Sequence, residues 1–166
     1  NDVVFFMSNM MPQAPDNNQG VWASFETYCR TLADAGNEIL IIAGPGGFAG
    51  STIASGVSIP GFTWKIAVVV PLGAGTALSR ITATTRVIAI KIPNTAGVRS
   101  NPWQQYVTST AQLQTDTGYT FFTDPALAGV AAALACETKA DVATIDGRKV
   151  REILSRRDAG PFTDAR

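Results

Sequence analysis

The sequence predicts a mixed α and β domain in which an antiparallel sheet is flanked by helices. Three observations support this fold class. Short β-branched and aromatic runs alternate along the chain with stretches of helical periodicity. Apolar residues make up 46% of the 166 positions, which suits one substantial core. No internal repeat or linker divides the chain, so we expect a single domain over residues 1–166.

The first predicted unit is a strand, a loop and a helix. Val3 to Met7 is a short β-branched and aromatic run, which is typical of a buried strand. The loop "SNMMPQAPDNNQG" follows it and is rich in amides and proline. An apolar stripe at helical spacing then predicts a helix, which Gly36 ends. The stripe consists of Trp22, Phe25, Cys29 and Leu32, and the candidate caps are Asp16, Asn17 and Asn18.

The middle of the chain predicts three strands. The first is "EILIIAG" at 38–44, and it runs into a glycine-rich segment, 44–56, without the lysine of a phosphate-binding loop. We interpret that segment as a surface loop. The runs "FTWKIAVVVPL" and "TTRVIAIKIPN" predict two neighbouring antiparallel strands. Because the second run does not alternate cleanly between apolar and polar residues, we expect it to be covered on both faces.

The last third of the chain predicts helices. One or two short helices are expected within 101–118. A helix of small residues is expected over 124–139, with Asp124 as its cap and Pro125 at its first position. The segment "DGRKVREILSRRDAG" predicts a charged surface helix.

Composition restricts the function. The 13 basic residues balance the 13 acidic ones, so the chain lacks the basic excess typical of a nucleic-acid binder. Its apolar runs are too short to cross a membrane, so no membrane partner is expected. Low charge and few lysines favour a secreted or periplasmic protein. Cys29 and Cys136 fit either two buried free thiols or one disulfide, and we expect the disulfide, between the front helix and the helix after Pro125.

The amide-rich loop has two interpretations. Its asparagines are ordinary residues for caps and turns, where they satisfy the local backbone. Alternatively, Asn18, Trp22 and Glu26 are spaced by four, so in an α-helix they fall within an arc of about 80°. Asn18 and Glu26 would then lie about 12 Å apart along the axis. One could ligate a metal and the other hold a water of its shell, an arrangement that suits Mg²⁺.

The segment from Ser8 to Glu26, with "YCRTL" after it, resembles the second half of the signature of the DNA/RNA non-specific endonucleases, the secreted ββα-metal nucleases. The resemblance continues through "EILIIAGPGG", "IPGFTWKIAVVV", "RVIAIKIPN" and "TGYTFF". It implies an enzyme that hydrolyses phosphodiester bonds of DNA and RNA with little sequence preference. It also implies one Mg²⁺ ion, with Mn²⁺ as a candidate substitute.

The resemblance assigns roles to three residues of the front unit. The metal-binding asparagine falls on Asn18, and the asparagine that helps to shape the site falls on Asn9. The acid that contacts a water of the metal's shell falls on Glu26. Three basic residues are candidate contacts for the nucleic-acid backbone, although each also fits an ordinary surface charge: Arg30, Lys65 and Arg86.

One part of the family signature is absent. The family has an Asp-Arg-Gly-His segment in the preceding strand, whose histidine is the general base, whereas this sequence contains no histidine. We therefore expect the chain to be the larger C-terminal portion of a nuclease domain, with the first strand of the ββα unit missing or on a short companion chain. The isolated chain would be inactive. The alternative is a catalytically inactive, nuclease-like domain that binds nucleic acid or a protein partner.

Overall fold

The computed structural model describes residues 10–131, 134 and 136–142. Within them, four strands form one antiparallel sheet in the order β1-β2-β3-β4. The strands are β1 (Asn37–Gly46), β2 (Phe62–Pro71), β3 (Arg86–Pro93) and β4 (Val107–Thr108), and the α-helices are α1 (Ala23–Asp34) and α2 (Thr110–Thr117). The predicted fold class, an antiparallel sheet flanked by helices, is confirmed.

Strand β2 is the centre of the molecule. It pairs with β1 along its whole length, from Phe62 opposite Gly46 to Pro71 opposite Asn37. On its other side it pairs with β3, from Phe62 opposite Pro93 to Val69 opposite Arg86. The two long runs predicted to be antiparallel neighbours are therefore β2 and β3, and that prediction is confirmed.

Apolar side chains cover the sheet on both faces, as expected from the lack of clean alternation. Successive residues of β2 and β3 point to opposite sides, so each strand contributes to two clusters. The cluster on the α1 face includes Phe25, Cys29, Leu32, Ala67, Val69, Ile88 and Ile90. The cluster on the α2 face includes Trp64, Ile66, Val68, Val70, Leu113 and Leu134.

The front helix begins with a π-helix at Asn17–Trp22 before it becomes α1. A π-helix turns less per residue than an α-helix, because its hydrogen bonds span five residues instead of four. The arc and the rise expected for Asn18, Trp22 and Glu26 in a continuous α-helix therefore do not apply. The capping prediction was also wrong, because the N-cap residue Asp16 makes no capping hydrogen bond with its side chain.

The predicted end of the front helix is confirmed. Gly36 follows α1 with a φ of 88°. Its backbone N–H donates to the carbonyl of Ala33 at 3.0 Å. A left-handed glycine after the last helical turn is a common way for a helix to end.

The helices expected within 101–118 are present as a 3₁₀ helix, Trp103–Tyr106, and as α2, although β4 was not predicted between them. The helix expected over 124–139 is wrong. Asp124 does cap, since its Oδ1 accepts from the N–H of Ala126 at 2.8 Å, but residues 125–131 form the 3₁₀ turn Pro125–Leu127 and further turns instead of an α-helix. Gly129 lowers the helix propensity of this segment, although its leucines, Leu127 and Leu134, are buried.

The glycine-rich segment is a surface loop beyond Gly46, where β1 ends, and Thr52 and Ser58 bridge across it. None of the helices in the described ranges is long and apolar enough to span a bilayer. The predicted strand Val3 to Met7 and the helix expected at 146–160 lie outside the described residues.

Candidate active site

Two adjacent asparagines of the π-helix lie in opposite environments. Asn17 is 0% exposed. Its Nδ2 donates to Thr63 Oγ1 at 3.0 Å and to the carbonyl of Pro93 at 3.2 Å. Asn18, one position later, is exposed. The first amide therefore anchors the π-helix to β2 and to the end of β3, and the second is presented to solvent directly beside that anchor.

A third asparagine, Asn94, holds the loop that leads into the π-helix. Its Oδ1 accepts from the backbone N–H of Ala14 at 2.7 Å. Its Nδ2 donates to the carbonyls of Pro12 and Pro60 at 3.0 and 2.9 Å. Buried carbonyls need such partners, and prolines supply no N–H of their own to a turn. Asn94 follows the end of β3, so the amide-rich loop is tied to the sheet at two successive points.

Arg99 holds the solvent side of the same loop. Its Nε donates to Asp16 Oδ1 at 3.1 Å, and its Nη2 donates to the carbonyl of Pro15 and to Gln19 Oε1 at 3.1 and 3.2 Å. Asp16 also accepts from the N–H of Gly97 at 2.7 Å, and this bond and Arg99 lower the pKa of its carboxyl group. The Arg99 side chain nevertheless remains 48% exposed.

The close approach of Arg99 requires a glycine on the π-helix. A Cβ atom at Gly20 would lie 3.0 Å from Arg99 Cα. This distance is tighter than an ordinary van der Waals contact, so a side chain at this position would push the two segments apart. Sequence reasoning did not find Arg99 or the role of Gly20, because their pairing joins segments about 80 residues apart.

Glu26 lies in the first turn of α1 and binds a buried lysine of β2. Lys65 Nζ donates to Glu26 Oε1 at 2.7 Å. The same ammonium lies 4.0 Å from the centroid of the Trp22 ring. The Lys65 side chain is 4% exposed, whereas that of Glu26 is 37% exposed. The carboxylate therefore meets solvent on one side and a fixed cation on the other.

The three residues predicted to contact the nucleic-acid backbone differ in their exposure and in their ion pairs. Arg30 is exposed on α1. Lys65 is buried, and its ammonium forms an ion pair with Glu26, so it is not available to a phosphate. Arg86 forms an ion pair with Glu137 and donates from Nη2 to Tyr28 Oη at 3.0 Å. Burial lowers the pKa of Arg86, but these hydrogen bonds outweigh burial and raise it above its ordinary value. Of the three residues, Arg30 is the one with an available charge.

The predicted disulfide is wrong for this structure, in which Cys29 and Cys136 are free thiols. Cys29 is buried in the cluster on the α1 face, and Cys136 packs against the cluster on the α2 face. The sheet therefore separates them. Burial raises the pKa of Cys29 to about 11, as expected for a thiol among apolar side chains. The remaining predicted site residue, Asn9, lies outside the described residues.

The donors at this site are oxygen atoms: the amide of exposed Asn18 and the part-exposed carboxylate of Glu26. Among the described residues, no group of three or more His, Cys, Asp or Glu side chains is arranged to hold a metal ion. Softer ions such as zinc need that kind of cluster. An ion that keeps most of its waters and takes one or two protein oxygens needs none, so the residues present fit Mg²⁺ better than Zn²⁺.

Residues 1–128 match the family model described as DNA/RNA non-specific endonuclease. The chain belongs to this family. A nuclease from Nostoc sp. is 45% identical to this non-specific endonuclease chain over 124 residues, which cover 75% of the chain and 44% of the Nostoc protein. The mitochondrial nuclease EXOG of Homo sapiens is 42% identical over 41 residues, or 25% of the chain and 11% of EXOG. The chain thus spans less than half the length of these relatives.

The fold agrees with the family. A crystal structure of the EndoG/EndoGI complex, which describes a mechanism of EndoG inhibition, matches with a TM-score of 0.57. The match covers 73% of this chain and 51% of the other at 18% identity, so it is evidence for the fold alone. The resemblance inferred from the residues between Ser8 and Glu26 is confirmed, and the family is one of metal-dependent nucleases.

Proposed function

We propose that this chain carries the metal-binding part of an endonuclease that hydrolyses phosphodiester bonds of DNA and RNA with Mg²⁺. The observation that carries the proposal is the pair of asparagines on the π-helix: one fully buried and bonded to the sheet, the next exposed. A loop that only needed a cap would not require this arrangement. Membership of the non-specific endonuclease family supplies the reaction class.

The side chains at the site have distinct proposed roles. Asn18 would hold the ion through its amide oxygen, and Glu26 would hold a water of the ion's shell, while Asn9 would shape the site from the preceding loop. A bound ion would supply positive charge to the phosphate under attack and to the leaving 3′ oxygen. Because Asn18 is neutral, it leaves that charge undiminished by a carboxylate ligand. Mn²⁺, which also takes oxygen ligands, is expected to substitute.

Binding of the nucleic-acid backbone is proposed for two arginines. Arg30 is exposed and lies four residues after Glu26, so the two side chains are neighbours on one flank of α1. Arg99 is half-exposed. Its Nη2 donates to the carbonyl of Pro15, which precedes Asn18 in the sequence, and to the side chain of Gln19, which follows it. Two local cations at the site can bind a phosphate even though the whole chain has as many acidic as basic residues.

The general base is proposed to come from outside these 166 residues, because the sequence contains no histidine. We expect a histidine-bearing segment, on a companion chain, to supply it next to Asn18 and Glu26. The 166-residue chain alone is then inactive, and its complex with that segment is active. On composition, we also propose a secreted or periplasmic location.

The test is a plasmid-nicking assay of the complex with Mg²⁺. Asn18→Ala should abolish cleavage and leave the circular-dichroism spectrum and the urea midpoint unchanged, because this amide is exposed. Glu26→Gln should slow cleavage less, since it acts through a water. Gln105→Ala, which also removes an exposed amide, is the matched control and should cleave normally.

Wild-type cleavage by Asn18→Ala would overturn the metal assignment, and cleavage by the pure 166-residue chain would overturn the external base. A complex that binds DNA with every residue intact but never cleaves it would instead favour the alternative of an inactive binding domain.

A further inference from the structure

Lys65 is an unusual residue for the position it occupies. It lies in the middle of the central strand β2, paired with Ala43 on one side and Ile90 on the other. Its side chain points to the α1 face, among the apolar residues that pack beneath the helix. Lysine is rarely buried unless its charge is paired, because removal of an ammonium from water is costly. Here the pairing partner is Glu26.

Strand β2 holds the front helical segment at two places. Thr63 and Lys65 are alternate residues of β2, so they point to the same face about 6.6 Å apart. Thr63 bonds to Asn17 at the start of the π-helix, and Lys65 bonds to Glu26 after its end. Asn18 lies between these two attachments in sequence. The strand therefore fixes the residue next to the proposed metal ligand and also the proposed acid.

The Lys65 contacts restrict the Glu26 carboxylate. Lysine donates but cannot accept, so its ammonium binds the carboxylate as a compact point charge. The Trp22 ring, 4.0 Å away, holds that ammonium from a second direction. A free glutamate on a helix surface samples several rotamers. With Oε1 bound at 2.7 Å, the carboxylate is held, and the contacts among the described residues involve Oε1 and not the second oxygen, Oε2.

We propose that Lys65 is a positioning residue, which fixes the Glu26 carboxylate in the orientation needed to hold a water of the metal's shell. This inference rests on the proposed function of Asn18 and Glu26. Lys65 is too buried to bind a phosphate itself. Stability alone does not explain it, because an apolar residue of similar volume is often as stabilising as a buried ion pair. Orientation of a group that contacts the metal shell does explain a buried cation at this point.

Lys91 offers a matched control in the same sheet. Its Nζ lies 2.6 Å from Asp116 Oδ2 and 4.8 Å from the Phe62 ring, so it repeats the combination of an ion pair and an aromatic contact. It alternates with Ile90 and Ile92 on β3, which puts it on the α2 face, away from α1. Lys65→Met and Lys91→Met thus remove the same types of contact from opposite faces, although the Lys91 side chain is 35% exposed and that of Lys65 is 4% exposed.

Two measurements on the full chain test the proposal. Three-bond scalar couplings by NMR report the χ1 rotamer of Glu26, and electron paramagnetic resonance of free Mn²⁺ reports metal affinity. In the wild type, Glu26 should occupy one rotamer. Lys65→Met should average it over several rotamers and weaken Mn²⁺ binding about tenfold, as loss of a group that orients a metal ligand does. Lys91→Met should change neither value.

The outcomes separate the two proposals. One Glu26 rotamer and wild-type Mn²⁺ affinity in Lys65→Met would overturn the positioning role, even where Asn18→Ala abolishes binding as proposed. Unchanged Mn²⁺ binding in Asn18→Ala would overturn the metal site instead, and the Glu26 rotamer would still decide the role of Lys65. Averaged couplings in the wild type would overturn that role without any variant. So would a Lys65→Met nuclease complex with a raised KM for DNA and an unchanged kcat, since that is the behaviour of a substrate contact.

Discussion

Replacement of Asn17 by alanine should destabilise the fold, although the asparagine beside it should be dispensable for stability. Asn17 is fully buried, and its amide bonds to the Thr63 hydroxyl at 3.0 Å and to the Pro93 carbonyl at 3.2 Å. Thr63 is also 0% exposed. Alanine would leave the buried Thr63 hydroxyl without this partner, at about 1–3 kcal/mol, and would remove the bond to the part-buried Pro93 carbonyl, at about 0.5–1.5 kcal/mol. We therefore expect a loss of about 2–4 kcal/mol in the free energy of unfolding.

Urea denaturation followed by circular dichroism measures this loss, with Asn18→Ala as the matched control. Asn17→Ala should lower the urea midpoint strongly. Asn18→Ala should change the free energy of unfolding by less than about 0.5 kcal/mol, because surface changes rarely cost more. For a chain of this size, a loss of that order lowers the melting temperature by about 2–4 °C per kcal/mol.

A double-mutant cycle isolates the interaction between the two buried groups. Thr63→Val removes the other partner and keeps the shape of the side chain. If the hydrogen bond accounts for the effect, the double variant should lose less than the sum of the single losses, by about 1 kcal/mol or more. Strict additivity, or an Asn17→Ala variant as stable as Asn18→Ala, would refute the reasoning.

Three further changes have expected outcomes. Gly20→Ala should destabilise the chain by about 1–3 kcal/mol in urea, because its Cβ would lie 3.0 Å from Arg99 Cα, whereas Gly129→Ala, which meets nothing within 4 Å, should be neutral. Asp16→Asn should make the free energy of unfolding fall less steeply as pH is lowered. The lowered pKa of Asp16 contributes stability above its unfolded pKa of 3.8, and this contribution is lost as pH falls through the folded-state pKa. Cys29 should resist iodoacetamide at pH 8 in the native chain and react after denaturation, because its pKa is raised to about 11.

The central strands were predictable because both the chemistry of their residues and their length point to the same structure. β2 and β3 are rich in valine and isoleucine, which fit a pleated surface and can be buried on both faces of a sheet. Their neighbouring antiparallel arrangement was predicted from their succession in the chain and from the turn-rich connection between them, which contains "GAGTALSR". The family was predictable from the amide-rich loop because the pattern of residues in this loop is long and specific.

The environment of individual charges was not predictable from the sequence. Lys65 and Arg86 are ordinary lysine and arginine residues in strand-like runs, and nothing local distinguishes a paired buried cation from a surface one. Their partners, Glu26 and Glu137, are 39 and 51 residues away. The packing of α1 on the sheet brings Glu26 to Lys65, and the bridge between Val87 and Cys136 brings Glu137 to Arg86, so the roles of these cations follow from tertiary structure.

The π-helix was missed for a related reason. An apolar stripe at three- and four-residue spacing describes α1 correctly, but the local pattern does not show where the hydrogen bonds lengthen to five residues. Here Asn17, the first residue of the π-helix, is bonded to Thr63 of β2 and to Pro93, contacts that no local pattern shows. Propensity alone also failed over 124–139, where alanines favour a helix but Gly129 opposes one.

If Asn18 is the metal ligand, as proposed, the order of the two asparagines explains how this neutral ligand is held accurately without a cage of carboxylates. A metal site requires its first ligand to be held within about half an ångström, and elements of the scaffold hold a ligand better than loops do. Asn18 is on the surface, but its neighbour Asn17 is bonded both to β2 through Thr63 and to the end of β3 through Pro93. The backbone at Asn18 therefore moves only if the sheet moves. A surface amide without such a neighbour would be displaced by thermal motion and by water, and a single neutral oxygen would then bind a hydrated ion too weakly. In the proposed site, burial of the first asparagine is thus the physical condition that would let the second one hold the ion.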